Sequence, residues 1–522
     1  MPLSHLLSRP TAVLSVRWGA VVFTGFLPAL LALLLLAGCG PSVNRYLLIE
    51  TSLRAHDPKG ADVILQQVEK EYGEKNLVLY GMDRGMILQL AGDYQQSNAV
   101  LEGAEEELDR LYTSKIRTET LAFLTNDTAL PYVGEPYEQV LLNVLKALNY
   151  AQLGEWQGAL VESRRIDHRL NVLSDQASAA NAYRDDGFAR YLSGIFYEST
   201  GDVNNAFIAY RNAYKIFQTT RGWSQVAVPS QLRIDLLRTA EALQFTQDLA
   251  TYQQAFPETK WETQEVLQPL AHVVVISYNG LAPFKEDQFF DLPISLDALQ
   301  LMRLNRQREA SALDAKKTTA NNTQISRAKG QKQRSQQIED SVEDSVLDGL
   351  GGQVVRVALP RLVSQKTLVP IDPVSLIGEN GVRVTVNMEL AHDGTALAEK
   401  ALSERMASIT VKALSRAATK LALAEIAALG AQAAAGKDAG PLVGLLVGGL
   451  AKALARASEK ADKRSWQTLP DEIHLARVWV PAGSYQVQSQ PAGSNDPLRP
   501  QTMRTLSLRP GETTVLIQRV IP

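Results

Sequence analysis

The chain has 522 residues, and its 53 Lys and Arg are nearly balanced by 56 Asp and Glu, which gives a formal net charge of −3. A protein that binds nucleic acid usually carries a basic excess, so this composition argues against that class. A hydrophobic content of 45% is typical of a globular protein with a sizeable core. The single cysteine excludes an internal disulfide framework.

The N-terminus has the layout of a secretory signal. Arg9 and Arg17 precede an uncharged apolar run at 19–36, and small residues then lead to Cys39. A positive segment, an apolar core and a small-residue cleavage site in this order are typical of a signal peptide. The apolar run is close to the ~20 residues that cross a bilayer. A transmembrane anchor is therefore one alternative, and a cleaved signal with an incidental cysteine is another.

The tetrapeptide Leu-Ala-Gly-Cys that ends at Cys39 resembles a bacterial lipobox. The resemblance implies cleavage before Cys39 and acylation of its thiol. Because Gly40 follows instead of an aspartate, it also implies sorting to the outer membrane. Each buried CH₂ of an acyl chain contributes about 0.8 kcal/mol, so several chains would form a stable anchor. We therefore expect a signal peptide at 1–38, a lipidated tether at 39–56, and a protein held on the outer membrane facing the periplasm.

Three later segments repeat one pattern. In each, a small residue lies seven positions before a glycine–acid–bulky turn, and another small residue or serine follows five positions after the glycine. The turns are Gly92-Asp93-Tyr94, Gly154-Glu155-Trp156 and Gly201-Asp202-Val203. The pattern resembles the tetratricopeptide repeat, which implies stacked helical hairpins, although the turns are farther apart than the ~34 residues of a tandem array. We predict a helical repeat domain over 57–262, with hairpins at 140–171, 186–217 and, less regularly, 231–256.

Two features of this region are candidate partner-binding sites. The insertion 126–138 is rich in turn residues and aromatic side chains, and loops of this kind often carry recognition; its candidates are Tyr132 and Tyr137. The run Glu-Ser-Arg-Arg-Ile-Asp at 162–167 would present Arg164 and Arg165 as a pair to an acidic partner. The alternatives are a connector packed over the edge of the repeats and a solvated helix face with local ion pairs.

After Pro269 the hydrophobic period changes to that of strands. The runs 271–278, 354–359 and 382–388 are short and either β-branched or alternating. Near the end, two pairs of strands are each joined by a turn with proline and glycine, at 481–483 and at 510–511. We therefore predict an α+β protein whose domain 263–522 is a small antiparallel β-sandwich, with each of these pairs forming a hairpin.

Two segments of this domain are not strand-like. Residues 303–338 are polar, so we predict a flexible segment or a loosely held helix. Residues 395–460 form a predicted helical hairpin, with helices at 395–435 and 441–460 and a turn at 436–440. Gly440, Gly444 and Gly448 make a ladder typical of close helix association in lipid. The uncharged stretches are shorter than a membrane span, so the first interpretation is a hairpin packed on the β-domain; membrane contact or self-association is the alternative.

Catalytic and metal-binding motifs do not emerge from the sequence. The six histidines are scattered without a metalloprotease pair, and no Gly-x-Ser-x-Gly elbow occurs. The segment 430–438 superficially resembles a phosphate loop. However, five residues separate its glycines instead of four, and Asp438 replaces the Ser or Thr that would hold magnesium. We expect no metal, no cofactor and no enzymatic activity.

Three longer motifs add a resemblance to a known group. They are Leu-Pro-Tyr-x-Gly-Glu-Pro-Tyr-Glu at 130–138, Glu-Ser-Arg-Arg-Ile-Asp at 162–167 and Ala-Asp-Lys-Arg-Ser-Trp at 461–466. With the lipobox and the repeats, the chain resembles an uncharacterised family of Gram-negative lipoproteins that contain tetratricopeptide repeats. The resemblance implies that the gene for this protein lies beside genes for lipoproteins similar to activators of peptidoglycan synthases. Such a gene neighbourhood suggests a related function but does not establish a mechanism.

The expected function is that of a non-enzymatic, lipid-anchored scaffold that binds an envelope protein in the groove of its repeats. The alternative is a component of an envelope assembly or export machine that oligomerises through the glycine-rich hairpin. An enzyme is a third class. The sequence does not determine the partner or the oligomeric state.

Overall fold

The structure, a computed structural model, describes residues 43–114, 127–175, 186–293, 354–366, 371–379, 381–491 and 504–521. The predicted signal peptide, Cys39 and the polar segment 303–338 lie outside these residues. The first helices are α1 (Val43–Arg54), α2 (Pro58–Gln67) and α3 (Glu69–Tyr72). The predicted tether 39–56 thus includes α1. Helix α2 begins after Asp57, whose carboxylate accepts a hydrogen bond from the Gly60 N–H at 2.8 Å.

Four antiparallel helical hairpins follow. They are α4 (Leu77–Leu90) with α5 (Tyr94–Ser114), α6 (Pro136–Gln152) with α7 (Trp156–Asp175), α8 (Gly187–Ser199) with α9 (Val203–Ser224), and α10 (Ser230–Ala242) with α11 (Thr246–Ala255). The hairpins predicted at 140–171, 186–217 and 231–256 are confirmed. The turn glycines Gly92, Gly154 and Gly201 have φ of +80°, +74° and +81°, the left-handed conformation that ends a helix most easily at glycine. A short helix, α12 (Gln264–Leu267), completes the helical region.

The small residues of the repeat pattern let the two helices of a hairpin approach each other. A Cβ on Gly85 would lie 2.4 Å from the Leu101 side chain, and a Cβ on Gly194 would lie 2.4 Å from the Tyr210 ring. Both distances are far below van der Waals contact. Only glycine therefore fits at these positions without displacing the facing side chain.

Ten strands follow in the described part of the chain. They are β1 (Ala271–Asn279), β2 (Phe284–Pro293), β3 (Val354–Val363), β4 (Ile371–Gly378), β5 (Arg383–Val386), β6 (Glu389–Asp393), β7 (Glu472–Val480), β8 (Gly483–Pro491), β9 (Arg504–Leu508) and β10 (Thr513–Val520). Sheet A has the order β10-β1-β7-β6, sheet B has the order β5-β4-β8-β9, and β2 and β3 form a two-stranded ribbon. Val273, Val275 and Leu516 of sheet A share one hydrophobic core with Leu376 and Val487 of sheet B.

The two predicted terminal hairpins are wrong. Strands β7 and β8 belong to different sheets, and so do β9 and β10. The short connections carry the chain across the shared core instead of folding a strand back on its neighbour. Strand β10 also pairs with β1 in parallel, with His272 opposite Thr513, so sheet A is not purely antiparallel. A turn with proline and glycine serves a hairpin and a crossing equally well, which is why the sequence alone does not separate them.

The inserted helical hairpin consists of α13 (Gly394–Ala434) and α14 (Gly436–Ala457). Helix α13 packs on the ribbon, where Ala413, Ala417 and Leu421 contact Val355 and Val357. The turn predicted at 436–440 is shorter in the structure: it lies at Gly436, whose φ is +77°, and the following residues are helical. Among the described helices, none combines the length and apolar character that crossing a bilayer requires.

Candidate functional site: a covered face and an open groove

Sheet A covers the side of the repeats formed by the first helix of each hairpin, α4, α6, α8 and α10; we call this side the inner face. On α4, Gln89 accepts a hydrogen bond from the Tyr278 hydroxyl at 3.1 Å. On α6, the Gln152 side chain donates to the Val515 carbonyl oxygen at 2.6 Å. Every one of the four helices has such a contact, because Arg477 of β7 reaches both α8 and α10. The surface on which we expected a partner is thus occupied by the chain's own sheet.

A buried charge cluster lies at the centre of this contact. The Arg477 guanidinium bonds Glu198 of α8 at 3.0 Å and also pairs with Asp235 of α10. Arg238 bonds the same two carboxylates, at 2.6 Å and 3.0 Å. Burial alone would raise the pKa of Glu198, but Arg238 and Arg477 outweigh it and hold that pKa well below its usual range. Two cations and two anions are matched here, so the cluster fixes the sheet on the helices.

A second contact joins two of the motifs singled out in the sequence. The Trp466 N–H donates to Glu138 at 2.8 Å. Arg464 donates to the Leu130 carbonyl oxygen at 2.8 Å, and its guanidinium lies 5.4 Å from the centre of the Tyr132 ring. The sequence did not predict this contact, because the residues that form it are more than 300 positions apart in the chain.

Both tyrosines that we proposed as partner-binding residues are buried. Tyr132 hydrogen-bonds Glu138, and Tyr137 lies in the same core. Burial, followed by the negative charge of Glu138, raises the pKa of both phenols well above the usual value. Their predicted role in recognition would require this segment to open, because in the described fold they contact residues of their own chain.

An open groove lies on the other side of the repeats, between the second helices α5 and α7; we call it the outer groove. Its volume is about 470 Å³. Its walls include Asn98, Ala99 and Glu102 of α5, Tyr150 of α6, and Val161 and Arg165 of α7. A Cβ on Gly158 of α7 would lie 2.5 Å from the Tyr150 ring, so glycine at this position lets the ring pack along the groove.

The floor of the outer groove is a second charge network. Lys146 is completely buried, and its ammonium group bonds Glu105 at 2.7 Å, Glu162 at 3.1 Å and also Glu102. Burial opposes this charge, but Glu162 and Glu105 outweigh it and raise the pKa of Lys146. Arg165 bonds Glu102 at 2.8 Å, and these two side chains are 40% and 39% exposed. The groove thus presents a carboxylate and a guanidinium at its rim, above a floor of buried charged groups.

The two neighbouring arginines lie on different sides of α7. Arg165 lines the outer groove, whereas Arg164 is exposed elsewhere on the helix. Successive residues of a helix point about 100° apart, so adjacent guanidinium groups face different directions. A role of both arginines in partner binding stays a prediction, and of the two only Arg165 is a groove residue.

Polar side chains between hairpins complete the wall of the outer groove. Asn149 of α6 donates to Ser97 at 2.8 Å and to Asn98 at 2.9 Å. The amide nitrogen of Asn98 is buried, and within the described residues it has no hydrogen-bond partner. As for metals, the described part of the chain contains no group of three or more His, Cys, Asp or Glu side chains placed to hold one.

Comparison with known proteins adds little to this geometry. No protein-family model and no curated protein sequence matches the chain. Among solved structures, MamA (residues 41 to end) from Desulfovibrio magneticus RS-1 is 15% identical, with 41% of this chain and 90% of that chain covered and a TM-score of 0.26. PilW, a widely conserved type IV pilus biogenesis factor, is 15% identical, with 44% and 100% covered and a TM-score of 0.21. TM-scores this low carry no argument, so the functional reasoning rests on the contacts described above.

Proposed function

We propose that this protein is a non-enzymatic scaffold that binds a protein partner in the outer groove. The observation that carries the proposal is the contrast between the two sides of the repeats. The inner face is filled by sheet A, whereas the outer groove is open and combines apolar wall (Val161, Tyr150) with an exposed ion pair. This mixture of apolar and hydrogen-bonding groups is typical of surfaces that bind polypeptide.

The proposal includes a place in the cell. The lipobox-like tetrapeptide ending at Cys39 supports a lipid anchor in the outer membrane, with the repeats facing the periplasm. The family resemblance supports a partner in the cell envelope and a link to the regulation of peptidoglycan synthases. A Cys39→Ser variant that is still processed and membrane-bound would contradict the anchor without affecting the groove.

The alternative of an assembly or export component that oligomerises through the glycine ladder receives less support. A Cβ on Gly444 would lie 3.0 Å from the Gln432 Cβ, and one on Gly448 would lie 2.9 Å from the Ala428 Cβ. Both glycines therefore face α13 of the same chain. The positions that would let a second copy approach closely are already used within the hairpin.

The test is photo-cross-linking in intact cells. A photoreactive amino acid at Ala99, in the outer groove, should give a reproducible cross-linked protein. The same amino acid at Val266, which is exposed on α12 outside the groove, is the matched control and should not give that product. A cross-link that forms equally from both positions, or from neither, would contradict the proposal.

A further inference from the structure

Among the described residues, the large apolar side chains with the highest exposed fractions are concentrated on the helical hairpin α13–α14. On α14, Leu442, Leu445, Leu446 and Leu450 are 63%, 73%, 57% and 66% exposed. Their spacing of three or four residues places them on one side of the helix, which we call the leucine face. Contiguous apolar surface of this kind marks an interaction site more often than chance exposure.

The leucine face points away from the rest of the hairpin for a structural reason. Gly444 and Gly448 occupy the opposite side of α14 and are buried against α13. Because the glycines bring the two helix backbones together, the leucines between them in sequence are directed outward. Sequence reasoning found the glycine ladder but not this consequence.

The chemistry around the leucine face identifies its occupant. Residues 439–451 include no side chain that can donate or accept a hydrogen bond. A specific protein interface has a polar rim and about one hydrogen bond per 100–200 Å², which this stretch would not supply. A lipid acyl region needs no such partners. In addition, the hairpin over residues 394–460 contains nine Lys or Arg against five acidic residues, and this net positive charge complements an anionic membrane surface.

We propose that the leucine face of α14 binds the surface of an anionic phospholipid bilayer. The helix lies in the plane of the interface, with the leucines at the boundary of the acyl chains, about 5–10 Å below the headgroups. This orientation agrees with the absence of a spanning helix among those described. The inference goes beyond the proposed scaffold function, because it concerns a separate element and a lipid ligand.

The test uses the full chain with a single reporter. A Leu446→Cys variant in a Cys39→Ser background is labelled with an environment-sensitive nitrobenzoxadiazole dye and mixed with vesicles that contain phosphatidylglycerol. We expect a blue-shifted emission that nitroxide groups on the acyl chains quench. The same dye at Val63, which is exposed on α2, is the matched control and should stay aqueous. An emission at position 446 that does not respond to vesicles would overturn the proposal.

Two variants sharpen the result. Replacing both Leu442 and Leu450 with Asp should lower insertion of the dye more than ~100-fold, because each charge is costly at acyl depth, whereas Val266→Asp should change nothing. Vesicles of phosphatidylcholine alone should require at least ~10-fold more lipid, given the cationic excess. A spectral shift that appears without vesicles and grows with protein concentration would identify a second copy as the occupant and overturn the assignment to lipid.

Discussion

The inner face and the outer groove both contain ion pairs between arginine and a carboxylate, but the pairs differ in how deeply they are buried. On the inner face, Arg477 and Asp235 are completely buried, and they come from parts of the chain 242 residues apart. In the outer groove, the Arg165–Glu102 pair is about 40% exposed and joins neighbouring hairpins. A buried pair is costly to break, whereas an exposed pair contributes about 0–1 kcal/mol and exchanges partners easily. Burial therefore decides which side of these repeats holds the fold together and which side is available to a ligand.

The largest effect on stability is expected from removing an arginine of the buried charge cluster. Arg477→Ala leaves the buried carboxylates of Glu198 and Asp235 with one fewer cation, so the free energy of unfolding should fall by about 3–5 kcal/mol. Urea denaturation measures this. The control is Arg356→Ala, which removes an exposed pair with Asp291 and should cost less than about 1 kcal/mol. Equal losses from the two variants would contradict the distinction between buried and exposed pairs.

A second effect concerns pH and a buried carboxylate. Asp83 of α4 accepts hydrogen bonds from Tyr46, Tyr72 and Thr468. Burial raises its pKa from 3.8 to about 7, and these hydrogen bonds offset only part of that rise. Because the folded state holds the proton more tightly than the unfolded state, the free energy of unfolding should fall as pH rises from about 4 to about 7.

The size of this pH effect is on the order of 2–4 kcal/mol. Asp83→Asn removes the titrating group, so the variant should lose most of the slope between pH 4 and pH 7. Denaturant unfolding of both proteins across this range measures the difference. Parallel pH profiles would show that Asp83 titrates normally in the folded state.

The smallest effect on stability is expected in the outer groove. Val161 is 44% exposed, so Val161→Glu should change the free energy of unfolding by less than about 0.5 kcal/mol. The new charge lies beside Glu102 and Glu162 and should abolish the cross-link formed from position 99. Val266→Glu is the matched control and should preserve it. Loss of the cross-link in both variants would assign the partner to another surface.

Local sequence signals predicted the local structure well. The glycine–acid turns at Gly92, Gly154 and Gly201 locate three hairpins, because a left-handed glycine and an adjacent capping residue act over a few residues only. The inserted hairpin at 395–460 is also predicted, apart from its shorter turn. These features depend on neighbours in sequence, which the reader of a sequence sees directly.

The remaining features depend on contacts between distant segments. Whether Tyr132 is exposed is decided by Arg464 and Trp466, and the order of the sheets is decided by the parallel pairing of β1 with β10. Nothing near β7 or β9 in sequence indicates which sheet the next strand joins. The covered inner face has the same cause: the helical pattern predicts a groove, and only the fold reveals that sheet A fills it.

Cysteine accessibility tests most directly whether the inner face is covered while the outer groove is open. In a Cys39→Ser background, one variant carries Gln89→Cys, opposite Tyr278 of sheet A, and the other carries Ala99→Cys in the groove. The account predicts that the folded protein reacts rapidly with maleimide at position 99, and at position 89 only after denaturation in urea. Equally rapid labelling at both positions without denaturant would contradict it.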